Sequence, residues 1–206
     1  PYLKMNVGPE TISAMASMVA DVVDAVKIPV GVNVLRNDFK ASLAIAHVTG
    51  SKFLRTNVFI DAVVTDQGLI EASAPELLRY RRYLGADDIK IFADIHGKHG
   101  APLSPRPIEQ SAMDAAYRGL ADALIITGPM TGAEPELEDL MMVKKMIPDR
   151  PVLVGSGVDK ENAVKFLEHA DGAIVGTSLK IGGVVDNPID EKRVKALMMA
   201  VKKLRK

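Results

Sequence analysis

Residues 151–180 read PVLVGSGVDKENAVKFLEHADGAIVGTSLK. A short β-branched run, Pro151-Val152-Leu153-Val154, breaks at Gly155-Ser156-Gly157 and gives way to an amphipathic segment over Lys160-His169. A second run, Gly172-Ala173-Ile174-Val175, then breaks at Gly176-Thr177-Ser178. Strand, helix and strand in that order form a βαβ unit, whose two strands run parallel. Upstream the same alternation recurs, with strands expected at Ile28-Val34, Lys52-Val58, Ile89-Asp94 and Asp122-Ile126. Helices are expected at Phe39-Val48, Pro75-Leu84, Glu109-Arg118, Pro135-Met146 and Glu191-Leu204, and a further one carries Met15, Met18, Val19, Val22, Val23 and Val26 on one face. Pro75 and Pro135 suit a first helical turn, and Gly50, Gly85 and Gly119 suit helix ends.

Six strands alternating with helices describe a parallel sheet wrapped by helices, most of a (β/α)8 barrel. Two strands are wanting, and Pro1-Tyr2-Leu3 leads straight towards a helix. The expectation is therefore one barrel domain over residues 1–206, with the first two βα units missing. An open, doubly wound six-stranded sheet is the alternative.

Composition narrows the functional classes. The chain of 206 residues suits one domain with a sizeable core, and 48% hydrophobic with 25% charged residues is ordinary for a globular protein. The 26 basic residues match the 26 acidic ones, so no overall field favours nucleic acid or a charged membrane. Trp is absent and aromatics make up 4%, which leaves no stacking platform for single strands. No apolar run is long enough to span a bilayer, so membrane insertion is not expected. The lack of Cys removes thiolate chemistry and disulfides and fits a cytoplasmic setting. The partner best suited to these bounds is a phosphorylated small molecule; self-association into a homo-oligomer stays open, and no cofactor is implied.

The two glycine turns carry the strongest local signal. Gly155, Ser156 and Gly157 follow one strand, and Gly176, Thr177 and Ser178 follow the next. Glycine lets backbone N–H groups approach an anion, hydroxyls add donors, and paired turns after the last barrel strands form a recurrent phosphate site. Either turn alone reads as an ordinary βα connection. Lys180 is a charge partner or a solvated loop lysine.

Other strand ends supply candidate ligand contacts: Asn33 and Arg36 after the first strand, Arg55 and Asn57 on one face of the second, and Thr127 after the fourth. A charged Arg55 on a lumen face needs a partner, with Asp94 on the next strand the obvious one. Arg36 and Asp38 read equally as an ion pair with Asp38 as helix N-cap. Asp66 lies in the polar turn Val64-Thr65-Asp66-Gln67-Gly68, a lid or a plain hairpin. The most chemically loaded segment is Asp94-Ile95-His96-Gly97-Lys98-His99, where Asp94 and His96 alternate onto one face as candidate catalytic acid and base. Two such ligands are too few for a metal site, and none is assigned.

These motifs, taken in order, resemble one known family. Val30-Gly31-Val32-Asn33-Val34-Leu35-Arg36-Asn37-Asp38, Val64-Thr65-Asp66-Gln67-Gly68, Ile91-Phe92-Ala93-Asp94-Ile95-His96, Gly119-Leu120-Ala121-Asp122-Ala123-Leu124, Val152-Leu153-Val154-Gly155-Ser156-Gly157-Val158, Asp171-Gly172-Ala173-Ile174-Val175-Gly176-Thr177-Ser178-Leu179-Lys180 and Asn187-Pro188 cover nearly the whole chain. The chain thereby resembles the BtpA family, also called the photosystem I biogenesis protein family. The resemblance implies a TIM barrel of the ribulose-phosphate-binding type, with two further N-terminal strands in its usual members. It carries over no catalytic mechanism. Two functions follow as expectations: a phosphate-ligand-binding barrel that acts as an enzyme on its ligand, or a non-catalytic factor for assembly or stability of a protein complex.

Overall fold

The computed structural model describes residues 2–204. Six strands, β1 (Gly31–Val32), β2 (Phe53–Thr56), β5 (Lys90–Ile95), β7 (Ala123–Ile126), β8 (Val152–Val154) and β9 (Gly172–Ala173), form one wholly parallel sheet in the order β1-β2-β5-β7-β8-β9. Every expected strand is present, and each neighbours its sequential successor. The sheet is curled, as in a partly closed barrel of the TIM type, and among the described residues it is open between β1 and β9.

Helices cover the convex face: α1 (Pro9–Ala25), α2 (Phe39–Thr49), α3 (Ala74–Tyr83), α4 (Ile108–Met113) running into a π-helical turn at Asp114–Arg118, α5 (Leu137–Met146), α6 (Ala163–Leu167) and α7 (Glu191–Lys202). The core lies between these helices and the sheet. Leu54, Ile91, Ala93, Leu124 and Val154 on the strands meet Leu43, Leu77, Leu140 and Phe166 on the helices, all buried. Gly50 and Gly85 end α2 and α3 in the left-handed conformation that glycine adopts without steric cost.

Several expected details shift. Met15 and Val19 of the expected face turn inward, but Met18, Val22 and Val26 are exposed, because α1 leans on α2 and packs Ile12 and Ala16 inward in their place. Pro135 precedes its helix, and α6 is a shorter helix than expected because Asp159 and Asn162 tie the preceding turn to themselves. Gly119 ends the π-helical turn as expected, but it keeps a right-handed φ, and Leu120 takes the positive one. The turn at Val64–Gly68 is a hairpin between β3 (Val63–Thr65) and β4 (Gly68–Ile70). An unanticipated β6 (Gly100–Pro102) joins it, giving an antiparallel sheet in the order β4-β3-β6 built from the loops that follow β2 and β5.

Candidate functional site

All six parallel strands end at the same rim, and their concave face is layered. At the bottom, Phe53 stacks on Phe92 with ring centroids 4.5 Å apart, and a Cβ on Gly31 would stand 2.1 Å from the Phe53 ring. Above this apolar floor lies a polar layer made from Asn33, Arg55, Asn57 and Asp94. Arg55 Nε and Nη2 donate to Asp94 Oδ1 and Oδ2 at 2.8 and 2.9 Å, the pairing that strand alternation suggested. Asn57 Nδ2 donates to the same Oδ2 at 2.8 Å, and Asn33 Nδ2 donates to Asn57 Oδ1 at 3.2 Å and to the Arg55 carbonyl at 2.9 Å. The Asp94 side chain has 0% exposure, so its charge is compensated entirely by these donors.

Asp94 and His96 do not meet. The backbone turns at His96, where φ is 49°, so the alternation of the strand stops and the imidazole swings towards α4. There His96 Nε2 lies 3.2 Å from Ser111 Oγ, whose hydroxyl donates to Asp61 Oδ2 at 2.7 Å. Since that hydroxyl has a single proton, His96 Nε2 is the donor of the pair. Asp61 also accepts from Arg106, which reaches on to Asp114. Burial holds the His96 pKa below its ordinary 6.5, partly opposed by the charges of Asp61 and Asp139.

A cleft of about 880 Å³ opens beside the last two turns. Gly155, Ser156, Gly157, Gly176, Thr177 and Ser178 all line it, with Arg55 and Lys98 from β2 and the loop after β5, and Lys180, Lys192 and Arg193 from the segment after β9 and α7. Ser178 Oγ donates to the Val158 carbonyl at 2.7 Å and so ties the two turns together, and Arg193 Nη1 braces the Ser178 carbonyl at 3.1 Å. Ser156 is turned inward: its hydroxyl donates to the Ala133 carbonyl at 2.8 Å and accepts from Gly128 N–H at 3.0 Å. The Gly155 N–H is held by the Ile126 carbonyl at 2.8 Å. Among the described residues, the amides of Gly157, Gly176, Thr177 and Ser178 enter no hydrogen bond. Gly157 has a φ of 73°, and a Cβ there would stand 2.5 Å from the Glu134 amide nitrogen, so only glycine fits.

The remaining expected contacts lie apart from the cleft. Asp66 is exposed at the hairpin tip and accepts from Gln67 Nε2 at 2.6 Å. Thr127 sits against Gly155 and directs its hydroxyl to the His96 carbonyl at 3.5 Å. Arg36 is 6% exposed and donates to the Lys98 carbonyl, leaving its Nε without a partner. Asp38 caps α2 by accepting from Ala41 N–H at 3.1 Å, and its second oxygen takes Val7 N–H rather than Arg36. Two residues were not singled out as site residues from the sequence. Buried Asn37 staples the loop after β1 to Thr56, Asn57 and Val58 through its carbonyl oxygen. Lys98, half-buried at the cleft, has its pKa lowered by desolvation and then by the neighbouring Arg55. Its place within the charged segment 94–99 was the only signal available.

Comparison with known proteins places this arrangement. The BtpA family model matches residues 1–203. The chain belongs to the BtpA family. It is 44% identical over 201 residues to the photosystem I biogenesis protein BtpA of Synechocystis, covering 98% of this chain and 70% of that protein. It is 42% identical over 205 residues to an uncharacterized protein of Pyrococcus abyssi, covering 100% of this chain and 77% of the relative. Among solved structures, the thiamine phosphate pyrophosphorylase of Pyrococcus furiosus superposes with a TM-score of 0.63 at 15% identity, over 97% of this chain and 80% of that one. The N-(5'-phosphoribosyl)anthranilate isomerase of the same organism gives 0.60 at 14% identity, over 98% of both chains. At such identities the likeness concerns the fold alone: this BtpA family chain has the architecture of a partly closed TIM barrel.

Proposed function

We propose that this BtpA family chain binds a phosphorylated small molecule, with the phosphate seated between the turns 155–158 and 176–178. One observation carries the reading: two turns tied to each other, with amides unpaired among the described residues, line a single cleft whose lining has six basic side chains, Arg55, Lys98, Lys160, Lys180, Lys192 and Arg193, against the acidic Asp159 and Glu161. Unpaired N–H groups and convergent cationic side chains are what a phosphate requires. The cleft volume of about 880 Å³ is also of the size that encloses a small metabolite. Of the expected donors, the amides of Gly157, Gly176, Thr177 and Ser178 and the Thr177 hydroxyl fit this role; the Ser156 and Ser178 hydroxyls instead shape the turns. Asp94 serves this reading by holding Arg55, since both its oxygens already accept, and His96 stands outside the cleft lining.

The photosystem role belongs to the name of the Synechocystis relative, and the Pyrococcus abyssi relative, of nearly equal identity, bears no such name. The small-molecule cleft is therefore the better reading than an assembly factor. A Cβ on Gly176 meets nothing within 4 Å, so Gly176→Leu is expected to obstruct the cleft that this residue lines. Thermal-shift and calorimetric titrations with sugar and polyol phosphates are expected to show binding by the unaltered chain. Gly176→Leu, with an unchanged circular dichroism spectrum, should weaken it at least tenfold. Equal binding by both proteins would place the phosphate elsewhere.

A further inference from the structure

We infer that the occupant of the cleft is a phosphorylated carboxylic acid, its phosphate at the two turns and its carboxylate on Arg55 and Lys98. The inference rests on the phosphate reading and adds the chemistry of the other end of the ligand.

Arg55 is held as a binding group is held. Its Nε and Nη2 are fixed on a carboxylate of 0% exposure, that carboxylate is fixed by Asn57, and Asn57 is fixed by Asn33. Three strands thus set the plane of one guanidinium at the edge of the cleft. Nη1 enters no hydrogen bond among the described residues, so the edge formed by Nη1 and the second hydrogen of Nη2 remains available. Two parallel N–H groups of that edge match the two oxygens of a planar carboxylate.

The local charge also lacks an anion. Arg55, Asp94 and Arg36 all lie close enough to act on Lys98, and among the described residues Asp94 is the only carboxylate in an ion pair with Arg36, Arg55 or Lys98. Asp38, near in sequence, spends its oxygens on the Val7 and Ala41 amides. Lys98 makes no ion pair among the described residues, and its carbonyl is clasped by Arg36, which fixes the backbone from which the ammonium reaches the cleft. Half-buried cations in excess of their counter-charge are costly unless an anion joins them. Desolvation and Arg55 already lower the Lys98 pKa, and a bound carboxylate would oppose both effects.

The test uses isothermal titration of the chain with matched pairs that differ only in the acid: 3-phosphoglycerate against glycerol 3-phosphate, 4-phosphoerythronate against erythritol 4-phosphate, and 6-phosphogluconate against glucitol 6-phosphate. At least one acid is expected to bind tenfold or more tightly than its alcohol, and in Lys98→Met that ratio should fall towards one. Equal affinity within every pair overturns this inference and leaves the phosphate reading standing, as does a ratio unchanged in Lys98→Met. A hexitol 1,6-bisphosphate that binds more tightly than 6-phosphogluconate makes the second seat a phosphate seat, which also overturns it. No binding by any member of any pair overturns both readings.

Discussion

His96 shows how a single backbone angle redirects a side chain. A φ of 49° is uncommon for a residue with a Cβ, though His and Asn tolerate it better than most. The imidazole is thereby placed half-buried over Ser111, where charging it is disfavoured by desolvation and by Arg106 more than Asp61, Asp139 and Glu109 favour it. Its folded pKa lies below 6.5, so between the two values the unfolded chain binds more protons than the folded one. Stability then rises with pH across the window just below 6.5 and is lost as the solution is acidified through it. His96→Asn keeps a residue suited to the angle and removes the titration. Urea midpoints at pH 5 and pH 7.5 are expected to lie closer together in the variant than in the unaltered chain, and an unchanged gap would assign the acid sensitivity to other groups. Period-two alternation located the Arg55–Asp94 pair because both residues lie within strands. The same rule failed for His96, one residue past the end of β5, where alternation no longer constrains direction.

At the scale of elements, the site is a pair of turns whose glycines have different duties. Gly176 faces open space at the cleft, whereas Gly157 lies under the loop of residues 133–134, with a Cβ position 2.5 and 2.6 Å from backbone atoms there. Gly132 has a similarly positive φ of 83° and nothing within 4 Å. Gly132→Ala should therefore cost only the left-handed strain, about 1 kcal/mol. Gly157→Ala adds a backbone collision and is expected to cost roughly 1–3 kcal/mol more. Urea unfolding of the two variants checks the order; equal losses would mean that the 133–134 loop yields freely. The turns were legible in the sequence because glycine and hydroxyl residues repeat after consecutive strands. Their internal division was not, because a hydroxyl facing an anion and one facing a carbonyl, as in Ser156, look alike in sequence. The small sheet β4-β3-β6 was half legible: its hairpin had a polar turn, but Gly100-Ala101-Pro102 has neither β-branching nor alternation.

For the whole molecule, the strand count read from the sequence and the strand order agree, and both leave the sheet with two free edges among the described residues. Towards the β1 edge, Ile28 is 72% exposed, and Met18 and Val22 of α1 also face outward. At the other, Ala173 and Val175 with Leu167, Met198 and Val201 border an apolar groove of about 300 Å³. An uncovered strand edge flanked by apolar surface favours pairing with another chain. The 206-residue chain is therefore expected to self-associate with rising concentration and to bind an apolar fluorescent dye. Placing lysine at Met198 and Val201 together should reduce both signals, because two charges in the groove oppose a hydrophobic contact, while far-ultraviolet circular dichroism should stay the same. Light scattering coupled to size exclusion checks the mass across the concentration range. A monomer throughout, with no dye bound, would mean that the groove and the β9 edge are covered within the chain itself, and self-association through this face would be abandoned.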